Sequence, residues 1–146
     1  MSGAEVKEKR TPVQFKLERI KLISSNINIP SHFSVTNQTK FKFSLSFVTE
    51  FIEEFSRIRI VVDYKFYLTE NFLKLLEIKV ATDFRIENFS DVVKEDQVYP
   101  TDFLEFITNI SLNHARGVQS QVVNGTEIEG LLMPILKPEE VRARLK

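Results

Sequence analysis

The sequence predicts an α+β domain: a four-stranded antiparallel sheet with a long helix packed on one face and a short C-terminal helix. Three observations carry this. Four consecutive segments between Val13 and Ile86 show strand-type alternation of apolar and polar residues. After Asn88 the period changes, and Phe103, Phe106, Ile107 and Ile110 fall at helical spacing. Strands followed by helices, rather than alternating with them, pack as one sheet with a helical layer.

Residues 1–11 mix Glu, Lys, Gly and Ser and are expected to form a disordered tail, leaving 12–146 as a single domain. The first strand, 13–29, is unusual. Phe15 and Leu17 take odd positions, Ile20 and Leu22 even ones, and Ile27 and Ile29 odd ones again. Successive side chains on a strand point to opposite faces, so each slip predicts a β-bulge or a change of buried face. A lone bulge explains one slip comfortably and two less well; the second is expected in the polar Ser24-Ser25-Asn26 interval.

Pro30-Ser31-His32-Phe33 breaks this strand, and the chain to Gln38 reads as a connection. Phe41, Phe43, Leu45 and Phe47 then alternate with Lys40, Lys42, Ser44 and Ser46, a second strand with one wet face. Residues 50–56 form an acidic turn. The third strand alternates Ile58, Ile60, Val62, Tyr64, Phe66 and Leu68 with Arg57, Arg59, Asp63 and Lys65, and Thr69-Glu70-Asn71 turns it back. In the fourth, 72–86, Leu76, Ile78, Val80, Phe84 and Ile86 share a face. Leu73 and Leu75 take the other parity, which predicts a bulge near its start. Pro100-Thr101-Asp102 signals a helix start, Ala115 continues the apolar stripe, and Arg116-Gly117 is a candidate stop. With Leu104 and Leu112 the stripe is broader than one buried face. Asn124-Gly125 marks a turn, and Pro138-Glu139-Glu140 opens the final helix, with Arg142, Arg144 and Lys146 at its end.

Composition excludes several function classes. Lys+Arg and Asp+Glu are both 20 in 146 residues, so no broad basic surface for nucleic acid is expected. The chain has no Cys, which excludes thiolate chemistry, and its polar start lacks a secretory core, so a cytoplasmic location is expected. No apolar run approaches a membrane span. The 2 His, His32 and His114, have no metal-ligand spacing, and no nucleotide loop or nucleophile motif occurs, so neither a cofactor nor an enzyme is expected. Glu53-Glu54 and Glu139-Glu140 diverge as sequence neighbours and read as solvated charges rather than acid–base pairs. What remains is apolar. Of 13 Phe, most must be core, and a surplus would leave apolar surface for a partner. Phe33, Val35, Phe51 and Phe55 lie outside clean strand or helix phases, while the Phe41, Phe43, Phe47 row is core by default.

Three stretches carry a resemblance. VQFKLERIKLISSNINIP (13–30) is similar to an opening strand of pattern F-x-I-x-R-I that runs on to Pro, filled by Phe15, Leu17, Arg19, Ile20 and Pro30. Leu75, Glu77 and Ile78, then Phe84-x-Ile86, look like the fourth strand of the same family. Val98-Tyr99-Pro100 resembles the opening of its long helix, followed by Arg116-Gly117 and Glu127-x-x-Gly130-Leu131-Leu132. In order and spacing over 13–136 the chain resembles the SecB export-chaperone family, including its toxin–antitoxin-associated members.

The resemblance implies a homotetramer built as a dimer of dimers. It implies an ATP-independent holdase that binds unfolded or non-native polypeptides, either preproteins for export or an antitoxin. Phe33, Val35, Phe41, Phe43, Phe47 and Phe106 would line the client groove, and Leu75 with Glu77 would form an exposed docking patch for the SecA motor. It also implies a first strand that bends between two environments, one part pairing inside the subunit and another with a neighbour. This chain departs from the pattern in its neutral charge, in Ser24 and Asn28 where docking members carry acids, and in a longer interval from Pro100 to Gly117. A dedicated antitoxin chaperone and a non-catalytic adaptor module are the alternatives.

Overall fold

Strand-forming runs rich in Ile, Val and Phe build β1 (Phe15–Ile27), β2 (Phe41–Ile52), β3 (Arg57–Leu68) and β4 (Lys74–Ile86). The computed structural model describes residues 12–88 and 101–145; the tail over 1–11 and the Val98-Tyr99-Pro100 stretch lie outside the described residues. The strands form one antiparallel sheet in the order β1-β4-β3-β2, so β1 and β2 are its edges. A 3-10 turn, Glu53–Phe55, joins β2 to β3 within the expected acidic turn. The helices are α1 (Thr101–Val123) and α2 (Pro138–Arg144).

Alternation decides which side chains the helices cover. On β3 and β4 the even-numbered residues, from Ile58 to Phe66 and from Leu76 to Ile86, point to the helical side, and all of them are buried. Ile107, Leu112, Ala115 and Val123 of α1, with Val141 of α2, Ile128 and Met133, close this inner core. Each such aliphatic side chain contributes about 1.5–3 kcal/mol by leaving water. Within α1 the buried stripe is Ile107, Thr108, Ser111, Leu112, Ala115, Gln119 and Val123. Phe106 therefore falls off it, and Gly117 stops nothing: the helix runs through it to the turn at Asn124, where Gly125 takes φ 81°.

The two slips in β1 have a simpler cause than a strand of two environments. Register shifts lie between Leu17 and Arg19 and between Leu22 and Ser24. The partners Phe15↔Ile86, Leu17↔Phe84, Ile20↔Thr82, Leu22↔Val80 and Ile27↔Leu76 keep the apolar residues of β1 opposite inward residues of β4, except Ile23, which falls in the second shift and is exposed. Each bulge adds one residue, so parity slips while the face is preserved. The second falls just before the Ser24-Ser25-Asn26 interval, and β1 pairs with β4 along its whole length.

The bulge expected near the start of β4 is also present. Phe66 pairs with Leu76 but Tyr67 with Lys74, leaving Leu75 as the extra residue. Leu75 joins the core at 0% exposure. The expectation that it lies on an exposed patch is thereby corrected.

The outer face, away from the helices, is charged. By register β1 contributes Lys16, Arg19 and Lys21, and Glu18 joins them through its bond to Arg57. β4 contributes Lys74, Glu77, Lys79, Asp83 and Arg85; β3 contributes Arg57, Arg59, Asp63 and Lys65; β2 contributes Lys42 and Glu50.

Candidate binding surface

The helical layer is narrower than the sheet, so the inner face stays partly open at both edges. On β1, Leu17, Ile20 and Leu22 face inward yet remain exposed. Beside them Phe15 anchors an aromatic group, with ring centroids 5.2 Å from Phe103, 5.9 Å from Phe106 and 6.0 Å from Phe84. These edge-on contacts are favourable aromatic geometries. Phe106 is held there while 54% of it stays accessible.

On the opposite edge, Phe41, Phe43, Leu45, Phe47 and Phe51 of β2 pair with inward residues of β3. Leu45 is buried, Phe41 and Phe47 are half-buried, and Phe43 is 47% exposed. Phe41 packs on Phe66 at 6.3 Å, Phe43 lies 6.3 Å from Tyr64, and Tyr64 meets Phe66 at 4.8 Å. Burial pushes the Tyr64 hydroxyl far above its ordinary pKa, against a small opposing effect of Arg116. α2 closes the middle of this edge: Arg144 Nη1 donates to the Leu45 carbonyl at 2.6 Å, and Arg142 Nε donates to Glu105 of α1 at 2.9 Å. A cation on a carbonyl of an edge strand also guards β2 against unwanted pairing.

The six expected groove residues therefore split. Phe41, Phe43 and Phe47 form one row on β2, whereas Phe106 belongs to the β1 flank, about 14 Å away at three strand spacings. Phe33 is half-buried against the core, and Val35 is exposed on the connection between β1 and β2. That connection joins the two opposite edges past one end of the sheet, which brings neither residue into the Phe106 group by register. The inward row Leu17, Ile20, Leu22 and the pinning residue Gln119 escaped the sequence reading. Gln119 is buried in α1; its Nε2 donates to the Leu131 carbonyl at 2.8 Å, and its Oε1 accepts from Met133 N at 2.7 Å. A single Gln in a helix carries no signal for such a role. The row did carry one, since each member sits opposite an unbroken inward face of β4.

On the outer face, Asp83 is clamped between two strands. Arg19 Nη2 donates to it at 3.0 Å, Arg59 Nε at 2.7 Å and Arg59 Nη2 at 3.1 Å. Burial alone would raise its pKa, but the Arg59 and Arg19 guanidiniums outweigh that and hold it below the ordinary carboxylate range. Glu77 is held low mainly by its 2.8 Å bond from Lys74, with Lys65 at 3.5 Å. It is an engaged carboxylate whose expected companion, Leu75, is enclosed. On the inner face, His114 Nδ1 lies 3.4 Å from Thr82 Oγ1, and burial holds the imidazole below its usual pKa. His32 sits far from it in an exposed turn, at φ 63°.

No protein-family model matches the sequence, and no curated protein does. Among the described residues no helix is long and apolar enough to cross a membrane. A solved structure does match: the Mycobacterium tuberculosis Rv1957 SecB-like chaperone in complex with a ChAD peptide from the Rv1956 HigA1 antitoxin. The likeness covers 84% of this chain and 90% of that one, with a TM-score of 0.58 and 12% identity. At 12% identity what is shared is the overall architecture alone. The chain has the SecB-like fold.

Proposed function

We propose that this protein is an ATP-independent holdase chaperone that binds unfolded or non-native polypeptides through its inner-face flanks. The observation that carries the reading is the pair of apolar rows left partly open beside the helices, Leu17, Ile20 and Leu22 with Phe106 on one side, the exposed Phe43 with the half-buried Phe41 and Phe47 on the other. Inward residues that a fold leaves uncovered are surface available to something else. A client segment that covered on the order of 400 Å² of apolar surface would gain roughly 10 kcal/mol before costs. Association and ordering offset most of it, which suits reversible holding. No nucleotide is required, because a protein that binds the unfolded state delays folding by mass action alone.

A client restricted to one antitoxin is the second reading, favoured by the antitoxin peptide bound to the structurally similar Rv1957 chaperone. In the export branch the clients are preproteins in the cytoplasm and SecA is the motor; Glu77, accessible where Leu75 is not, is the docking position to examine. A dimer of dimers belongs to the same proposal, because assembly would turn two open flanks into continuous grooves. The test is suppression of aggregation for two unrelated unfolded substrates, with wild type and a Phe43→Ser/Phe106→Ser variant. Protection of both substrates, lost in the variant, is the expected result. Protection of neither, by a correctly folded wild type, would end the general reading and leave the dedicated one. Sedimentation showing only a 17.0 kDa monomer at micromolar concentration would remove the tetramer.

A further inference from the structure

The chain is neutral overall, but its outer sheet face is not. The register places ten Lys and Arg there against five Asp and Glu. Glu18, Asp63, Glu77 and Asp83 are already engaged by cations of the same face. Among the described residues Lys16, Lys21, Lys79 and Arg85 make no ion pair within 4 Å, although Lys79 stands opposite Asp63 and Arg85 acts on Glu18 from farther away. Lys16 stands directly opposite Arg85, and Arg85 directly opposite Arg57. Like charges in that arrangement oppose sheet formation, and an incoming anion would relieve them. Lys16 and Arg85 also line an open recess of about 300 Å³, completed by Ser56, Ile86 and Glu87.

We propose that this outer face docks an acidic, extended polypeptide segment that also carries apolar residues. Charge complementarity names the sign of the partner. Spacing names its form: alternate residues of a strand recur about every 7 Å, the same interval at which an extended peptide presents the side chains of one edge. The apolar content is set by Val61 and Val48, which share a row between the charged ones, with Val48 exposed. Those residues offer nothing to a phosphate chain. Among the described outward-facing strand residues Tyr67 is the only aromatic, and the exposed Phe55 and Phe72 beside the strands each already carry a cation, Arg57 and Lys42, so no row of free rings runs along the face for stacked bases, which disfavours single-stranded nucleic acid. The site lies across the sheet from the proposed client surface and does not depend on that reading.

The test uses the full chain and a fluorescent peptide in which Glu alternates with Leu and Ser. Controls are its Gln-for-Glu counterpart and a single-stranded oligonucleotide of matched charge. The acidic peptide is expected to bind at low ionic strength, to weaken as salt rises, and to lose at least ~10-fold affinity in Lys16→Glu/Arg85→Glu. That variant is expected to suppress aggregation as wild type does, which separates failure of this proposal from failure of the holdase reading. Lys21→Gln/Lys79→Gln, a milder change in a different part of the face, supplies the same comparison should the first variant fold poorly. No binding of the acidic peptide to wild type, equal binding of the Gln peptide, tighter binding of the oligonucleotide, or full affinity in a folded variant would each overturn it.

Discussion

Replacing Asp83 by Asn tests how the edge strand β1 is held on its polar side. The Asp83 side chain is 2% exposed and receives three bonds from two guanidiniums, one on β1 and one on β3. Asn keeps the shape but loses the charge and presents a donor group where a cation points. Removing one partner of a buried ion pair costs about 3–5 kcal/mol, because the remaining charge is stranded. Here the stranded groups are partly wet: the side chains of Arg59 and Arg19 are 26% and 49% exposed and can turn toward water. The lower end of the range, about 3 kcal/mol, is the expected loss.

For a chain of 146 residues that corresponds to a fall in Tm of roughly 6–12 °C. Urea unfolding of wild type and Asp83→Asn measures it, with Arg19→Ala as a comparison expected to lose less, since its exposed head behaves more like a surface pair. A change below about 1 kcal/mol for Asp83→Asn would show that the clamp is worth no more than exposed ion pairs are. The reasoning from burial would then be wrong.

Two further outcomes follow from burial. Phe33 is half-buried against the core, so Phe33→Ala is expected to cost about 2 kcal/mol, between the values for a wet and an enclosed ring, with a thermal melt as the check. Stability is expected to fall with pH in two separate windows. Burial depresses the His114 pKa, so the unfolded chain takes up a proton first and stability declines as pH drops from about 6.5 toward the folded value. The Asp83 contribution is complete above an unfolded pKa of about 3.9 and is lost as pH falls from there to its lower folded value. Urea titrations across pH should resolve the two steps, and His114→Gln should remove the upper one alone.

Most of the fold was legible because its signals are local. Alternation located four strands, a change of period located α1, and Pro138 opened α2. The misreadings of the strands share one cause, which is that parity in sequence is not face in space. A bulge adds a residue without turning the strand over, so the slips at Leu17/Arg19 and Leu22/Ser24 preserve the inner face that they seemed to abandon. The same rule sent Leu75 inward, where parity alone would have left it beside Glu77. The arbiter was available, since the unbroken even parity of 76–86 requires any strand paired along it to present one continuous face. Helical spacing failed differently. Phe106 shares its period with Ile107 and Ile110, but a stripe has width, and only the sheet beneath decides which margin is covered. The charge of the outer face was hidden more deeply still. A neutral total argues only against a broad basic surface and leaves room for a local one, because a total sums over all faces at once. Alternation gathers ten cations onto one side of the sheet, and pairing then consumes the carboxylates that arrive with them, so what the face offers a partner depends on the register.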